Sequence, residues 1–259
     1  MNNYYFVAAS LPRLQIGLHP EIGFQEFETL LSVNLAPQDY AKTHVIRLYY
    51  DIQNIRSLWK GEELDPFGNL AKEELEEALV VREGLPGYVY DFLDSYEGTK
   101  SCLHHFPSLV TAYFREELEH ASGFLKTYLQ FERALRLVLV GFRAKQLGRD
   151  LIAEMQYEDP DDELIAQIIA QKDAKSYSPP IEFQEVKTIF DAHAQDPLAL
   201  HQALCVYQEH QVSEMLGVDF FSIDYILGYM VKLILVEKWM QLDKKKGMEH
   251  VQKILSHST

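Results

Sequence analysis

Glu117-x-x-His120 is the nearest approach to a metal-ligand motif in the sequence. The spacing puts a carboxylate and an imidazole on one face of a helix, the arrangement that carboxylate-bridged metal bundles use. Such bundles need the pair twice, and no second E-x-x-H occurs, although Glu132, Glu209, His210 and Glu214 fall on other expected helices. In so acidic a chain a solvated helix face is the simpler reading of Glu117 and His120. Adjacent His104 and His105 could bind a metal or sense pH, but they sit in an aromatic stretch with no nearby carboxylate to orient the rings. Packing or surface exposure is expected for them.

Other chemistries lack their residues altogether. The glycines are scattered, with neither G-x-x-x-x-G-K-[ST] nor G-x-G-x-x-G to turn backbone N–H groups toward a phosphate. No G-x-S-x-G nucleophile elbow, C-x-x-C or H-E-x-x-H is present. Cys102 and Cys205 stand far apart, as suits buried thiols in a reducing compartment. The expectation is a chain without catalytic residues, cofactor or metal.

Residues suited to binding are more numerous. Tyr88, Tyr90, Phe92 and Tyr96 could form an aromatic platform, because such residues concentrate at interface hot spots, or could pack a loop onto the core. Glu73, Glu74, Glu76 and Glu77 read as a solvated helix face. Arg133, Arg136, Arg143, Lys145 and Arg149 stand out against the acidic background, either complementing a helix C-terminus or meeting an acidic partner. Of these, Arg143, Lys145 and Arg149, with the later run Lys244, Lys245 and Lys246, are the candidate partner contacts, as local reversals of a strongly acidic surface.

The formal net charge is −15, so the long-range field repels phosphate backbones and nucleic acid is not an expected partner. The opening MNNYYFVAASLP has no positive region followed by a long apolar stretch, so no export is implied. The most apolar segment, Ile223 to Met240, carries Asp224, Lys232, Glu237 and Lys238 and reads as a buried core helix rather than a membrane span. With 47% hydrophobic and 24% charged residues, the composition is that of a globular chain that folds throughout.

The elements that must position these residues are helices. Ala41, Val45, Leu48, Ile52, Ile55 and Trp59 alternate four and three apart, predicting one helix from Pro37 to Lys60 that stops at Gly61. Phe24, Phe27, Leu30 and Leu31 mark a shorter helix, while periodicity leaves Tyr4 to Ala9 open as a short strand. Asn69 is a candidate cap for the helix through AKEELEEALVV, broken by Gly84 to Gly87, and Tyr88 to Pro107 reads as irregular. Ser108 to Leu147 is helical with a break at Ser122–Gly123, and its stretch Leu135 to Phe142 is apolar all round, as in a helix surrounded by others.

Asp159–Pro160 and Asp196–Pro197 each combine an N-cap with proline at the first helical position. Ser222 is placed to cap the buried segment, and a final helix is expected over Met248 to Leu255. Lys175 to Pro180 is the best linker, which divides the chain into a larger helical region, 1–175, and a C-terminal one, 181–259, packed on it or continuous with it. The fold class is all-α, a multi-helix bundle with the short N-terminal strand left open.

Three segments carry a resemblance: YYFVAASLP (Tyr4 to Pro12), YLQFERALRLVLVGFRAKQLGRD (Tyr128 to Asp150) and FFSIDYILGYMVKLILVEKWMQLDKKKG (Phe220 to Gly247). They look like a group of bacterial proteins encoded among V-type ATPase subunits. That group in turn resembles the C-type component of V/A-type ATPases, called d in eukaryotes, an all-helical funnel seating the central stalk on the membrane rotor ring. In the C-type pattern a long helix carries an acidic residue, an asparagine step, then an arginine and a glycine near its end. Glu132, Arg143 and Gly148 match three of these places, and Ala134–Leu135–Arg136 stands where the asparagine belongs. The resemblance implies a non-catalytic coupling subunit in proton or sodium transport. Its partners would be central stalk and rotor ring, and it would sit in the cytoplasm, reaching the membrane only through the complex.

Overall fold

The computed structural model describes residues 3–241. Among them are twelve α-helices and no strand. In chain order they are α1 (Tyr5–Ser10), α2 (Phe24–Asn34), α3 (Pro37–Lys60), α4 (Lys72–Val81), α5 (Gly87–Ser95) and α6 (Thr99–His120). There follow α7 (Gly123–Leu147), α8 (Leu151–Glu154), α9 (Glu163–Ala170), α10 (Gln184–His193), α11 (Pro197–Met215) and α12 (Ile223–Gln241). No helix among the described residues is long and apolar enough to cross a membrane.

Contacts divide the chain into two units. One is the continuous stretch Pro37–Phe183; the other joins residues 3–36 to 184–241. The expected linker, Lys175 to Pro180, lies just before the second boundary. Residues 3–36, expected within the region 1–175, instead group with the C-terminal helices. The physical reason is long-range pairing: α2 and the chain before it are held by α12, which lies two hundred residues on.

In the continuous unit, α6 lies against α3, α5 and α7, and α7 carries α8 and α9 on another side. The α3 helix runs over the bounds its periodicity predicts, with Gly61 at φ +69° ending it. Its buried face is wider than an apolar stripe, because Thr43, Asp51 and Asn54 are buried as well. Asn54 holds Asp65 from both sides, donating to its carbonyl at 2.9 Å and accepting its N–H at 2.7 Å. Asp51 accepts from Leu70 N at 3.1 Å and Asn69 Nδ2 at 2.8 Å. These bonds fix the loop leading into α4, as buried polar groups must be partnered. Gly68 is required here, since a Cβ on it would come within 2.5 Å of Asp51 Oδ1.

Asn69 therefore pins that loop to α3 rather than capping α4, whose first turn is closed by Glu74 accepting from Ala71 N at 2.8 Å. The stretch Tyr88 to Pro107, read as irregular, is mostly helical, forming α5 and the start of α6. Pro107 lies inside α6 on an exposed side, where its missing N–H leaves only the Leu103 carbonyl without a helical donor. The cap of α9 is Asp162 and not Asp159: Asp162 Oδ1 accepts from Leu164 N and Ile165 N, while Asp159 closes a turn onto Asp161 N.

In the other unit, α12 is buried on most of its circumference and lies against α2 and α11, with α10 on α11 and α1 on α2. Asp196 caps α11 with Pro197 at its first turn, and Ser222 Oγ accepts from Tyr225 N at the start of α12. Both follow the expected pattern. Leu216 crosses α12 at Gly228, where a Cβ would overlap its side chain. The open segment Tyr4 to Ala9 is helical from Tyr5. Its position depends on the distant bond from Tyr4 N to Phe221 O, 2.8 Å, which no local pattern carries. The helix expected over Met248 to Leu255 lies outside the described residues.

Candidate functional site

Among the described residues, a cluster of part-buried charge is built on α7. Arg133 and Arg136, three residues apart, leave the same face of the helix. Between α8 and α9 the chain brings Glu158 to meet them, with its side chain 4% exposed. Arg133 Nη2 donates to Glu158 Oε2 at 3.1 Å and its Nη1 to Asp162 Oδ2 at 2.8 Å. Arg136 pairs with Glu158 Oε1, and its guanidinium lies 5.7 Å from the centre of the Phe114 ring. Thr111 of α6 donates to the same Oε1 at 2.6 Å.

Burial pushes the Glu158 carboxyl upward, yet Arg136, the Thr111 hydroxyl and Arg133 outweigh it and hold the group below its ordinary range. Asp162 is likewise lowered: burial opposes, but Arg133 and the first N–H groups of α9 prevail. Arg133 is raised, because the two carboxylates outweigh the desolvation that would lower it. The cluster ties α6, α7 and α9 together. With both arginines committed to carboxylates, it is a fastening rather than an anion-binding pocket.

Further along α7, Glu132 and Arg143 are eleven residues apart, which brings them back to one face after three turns. Both act on the buried Tyr49 hydroxyl of α3. It is pushed up to about 12 by burial first and then by Glu132, against Arg136, Arg143 and Arg56. The helix closes at Gly148 in a left-handed conformation, φ +63°.

The candidate contacts part company here. Arg143 and Arg149 are exposed, Arg149 within 3.3 Å of Glu154. Lys145 donates to the carbonyls of Lys172 and Ala174 at 2.6 and 2.8 Å, which closes the turn after α9. Lys244, Lys245 and Lys246 lie outside the described residues.

The remaining sequence candidates fold into packing. Glu117 accepts from the Tyr88 hydroxyl at 3.1 Å, and burial raises its carboxyl; His120 is exposed with Nδ1 3.0 Å from Glu116 O. Among the described residues no three His, Cys, Asp or Glu side chains converge as a metal site would need. His105 stacks on Tyr96, centroids 4.2 Å apart, and reaches the Tyr157 hydroxyl at 2.5 Å. Phe92 lies against Trp59. Cys102 and Cys205 are buried free thiols. A cavity of about 320 Å³ opens between Trp59, Arg82, Tyr96 and Cys102, but Arg82 is bonded to Asp94 and the Tyr90 carbonyl.

Comparison with other proteins gives the chain its family. Residues 1–258 match the family described as "Protein of unknown function (DUF2764)". The chain belongs to the DUF2764 family. It is similar, at 29% identity over 96% of both chains, to a protein of Chlamydia muridarum described as uncharacterized. A protein of Chlamydia trachomatis serovar D is 28% identical over the same shares, and one of Chlamydia pneumoniae 26% identical over 98% of this chain and 99% of its own. No solved structure matches.

Within this DUF2764 chain, Glu158 and Thr111 escaped sequence reasoning. The available signal was the pair of arginines at helical spacing on an otherwise apolar helix, which demands buried carboxylates somewhere.

Proposed function

We propose that this chain is a non-catalytic C/d-like subunit of a V-type ATPase, coupling the central stalk to the membrane rotor ring in proton or sodium transport. The observation that carries the reading is α7, the helix on which the resemblance rests. Glu132 and Arg143 recur on one face and Gly148 ends the helix; these three residues support the likeness to the C-type pattern, while Ala134–Leu135–Arg136 stands where its asparagine belongs. An all-helical architecture is in keeping with it, as is a buried ionic fastening between helices. A part that transmits torque must not yield, and close-packed interiors of low compressibility transmit strain. Residence in the cytoplasm, attached peripherally through the complex, belongs to the same proposal.

The test is to purify the ATPase from native membranes of an organism that carries the chain and to identify its subunits. The chain is expected at fixed stoichiometry in active complexes. Its absence from intact, active complexes sinks the proposal; presence only in incomplete ones reassigns it to assembly.

A further inference from the structure

In the unit formed by residues 3–36 and 184–241, aromatic side chains left outside the core gather where α1 meets the turn between α11 and α12. Tyr5 is 57% exposed, Phe220 57% and Phe221 38%; their neighbours in the chain, Phe6 at 68% and Val218 at 92%, are exposed as well. Tyr5 and Phe221 lie ring to ring, centroids 4.6 Å apart, and the Tyr4 N–H donates to the Phe221 carbonyl. Phe220 leans on Tyr225 at 5.4 Å. Single exposed apolar residues are ordinary, whereas a cluster of aromatics marks an interaction surface.

The turn that displays them is fixed by its own bonds. Asp219 Oδ1 accepts from Phe221 N at 3.2 Å, Ser222 Oγ donates to the Asp219 carbonyl at 2.8 Å, and the same oxygen accepts from Tyr225 N. Aromatic anchors held in place before binding lose little freedom when a partner arrives, which is where interface energy concentrates.

Charge selects the occupant. No Lys or Arg occurs between Thr188 and Val231; within that stretch Asp191 and Glu209 pair with Lys187 and Lys232 at its two edges and Asp196 caps α11, while Asp219 and Asp224 bracket the Phe220–Phe221 pair. A second copy of the chain, at net charge −15, meets like charge there. An anionic lipid surface does too.

We propose that the surface made by Tyr5, Phe6, Phe220 and Phe221 docks a basic amphipathic segment of a partner protein, whose apolar residues cover the rings while its Lys and Arg meet Asp219 and Asp224. The assignment does not depend on the ATPase reading.

The test uses the full chain and a synthetic peptide with Leu and Lys at amphipathic-helix spacing, its Leu and Glu counterpart, and neutral and anionic phospholipid vesicles. The Leu/Lys peptide is expected to bind. Phe6→Ser with Phe220→Ser should weaken that binding at least about tenfold, the loss typical of truncating interface aromatics. Since both side chains are exposed, the urea midpoint should stay in place. Asp219→Asn with Asp224→Asn should weaken binding and flatten its salt dependence, the amide oxygen introduced at position 219 still being able to accept from Phe221 N. Val80→Ser with Val81→Ser, an exposed apolar pair beside the Glu73–Glu77 run, should change nothing.

Equal affinity of the Phe6/Phe220 variant, equal binding of the Leu/Glu peptide, or no binding of the Leu/Lys peptide overturns the proposal. Ring-dependent binding to vesicles or ring-dependent dimerisation in place of peptide binding overturns it as well.

Discussion

Glu158 concentrates in one carboxylate a charge balance on which three helices depend. Replacing it by Gln would keep its shape but leave Arg133 and Arg136, each about one-fifth exposed, without their shared anion. Breaking a buried pair from one side costs about 3–5 kcal/mol, and urea unfolding of Glu158→Gln should show a loss of that order. The acid limb of stability should change with it. Glu158 and Asp162 are held below their ordinary values in the folded chain. Their contribution is therefore complete above the unfolded carboxyl range and lost as pH falls through the folded values. Asp51, Glu117 and Glu237 are raised by burial; they favour the folded state at low pH and lose that contribution as pH rises through their folded values, so they cannot supply an acid limb. Wild-type stability should fall more steeply below about pH 4 than that of Glu158→Gln, a difference readable from urea midpoints across the acid range. Equal slopes would refute the assignment.

Helices whose signals are local were legible, and those set by distant partners were not. The α3 helix follows from its four-and-three apolar spacing, and α11 from Asp196–Pro197. Tyr5–Ser10 offers too short a sample of either period, and the residue before it is held by the Phe221 carbonyl, more than two hundred residues away. The Tyr88–Pro107 stretch was obscured by its aromatics and by a proline that an exposed helix face tolerates. At α9 the acidic run offers two caps; Asp162 takes the role with Oδ1 while its Oδ2 pairs with Arg133, a partner that local sequence does not show. Accordingly Asp162→Ala should cost about 1–2 kcal/mol by loss of the cap, with the ion pair added, while Asp159→Ala should stay within about 0.5 kcal/mol. Equal costs would return the cap to Asp159.

The basic residues of α7 were visible as outliers in sequence, but their sorting was not, because Glu158 stands twenty-two residues beyond Arg136. Arg143 and Arg149 remain exposed at the end of α7. Replacing both by Gln should shift unfolding by less than about 1 kcal/mol, since the ion pair it removes, Arg149–Glu154, is exposed, yet, on the coupling-subunit proposal, reduce recovery of the chain with the ATPase complex. Undiminished recovery removes this surface from consideration.

Across the chain the division into Pro37–Phe183 and the joined segments 3–36 and 184–241 is the feature least available from sequence, since no composition shift marks Ala36. The Lys175 to Pro180 linker signalled only the second boundary. The continuous unit has its own apolar interior, around Ile52, Leu109, Tyr113 and Val138, and its own ionic fastening. Residues 37–183 expressed alone should therefore keep a helical circular dichroism spectrum and a cooperative urea transition. A non-cooperative decay would show that its interior is completed from outside.

That division also sets a schedule for synthesis. The residues before Pro37 leave the ribosome ahead of the middle unit, yet α12, which holds α2, leaves after it. At roughly 5–20 residues per second, translating the intervening unit occupies on the order of 10–30 s. During that interval Phe24, Phe27 and Leu31, all buried in the finished fold, lack the cover that α12 later supplies, as Tyr229 does for Phe27. The nascent α2 segment is thus a natural client for chaperones that bind apolar segments, and synonymous codons that slow ribosomes within the middle unit would lengthen its exposure.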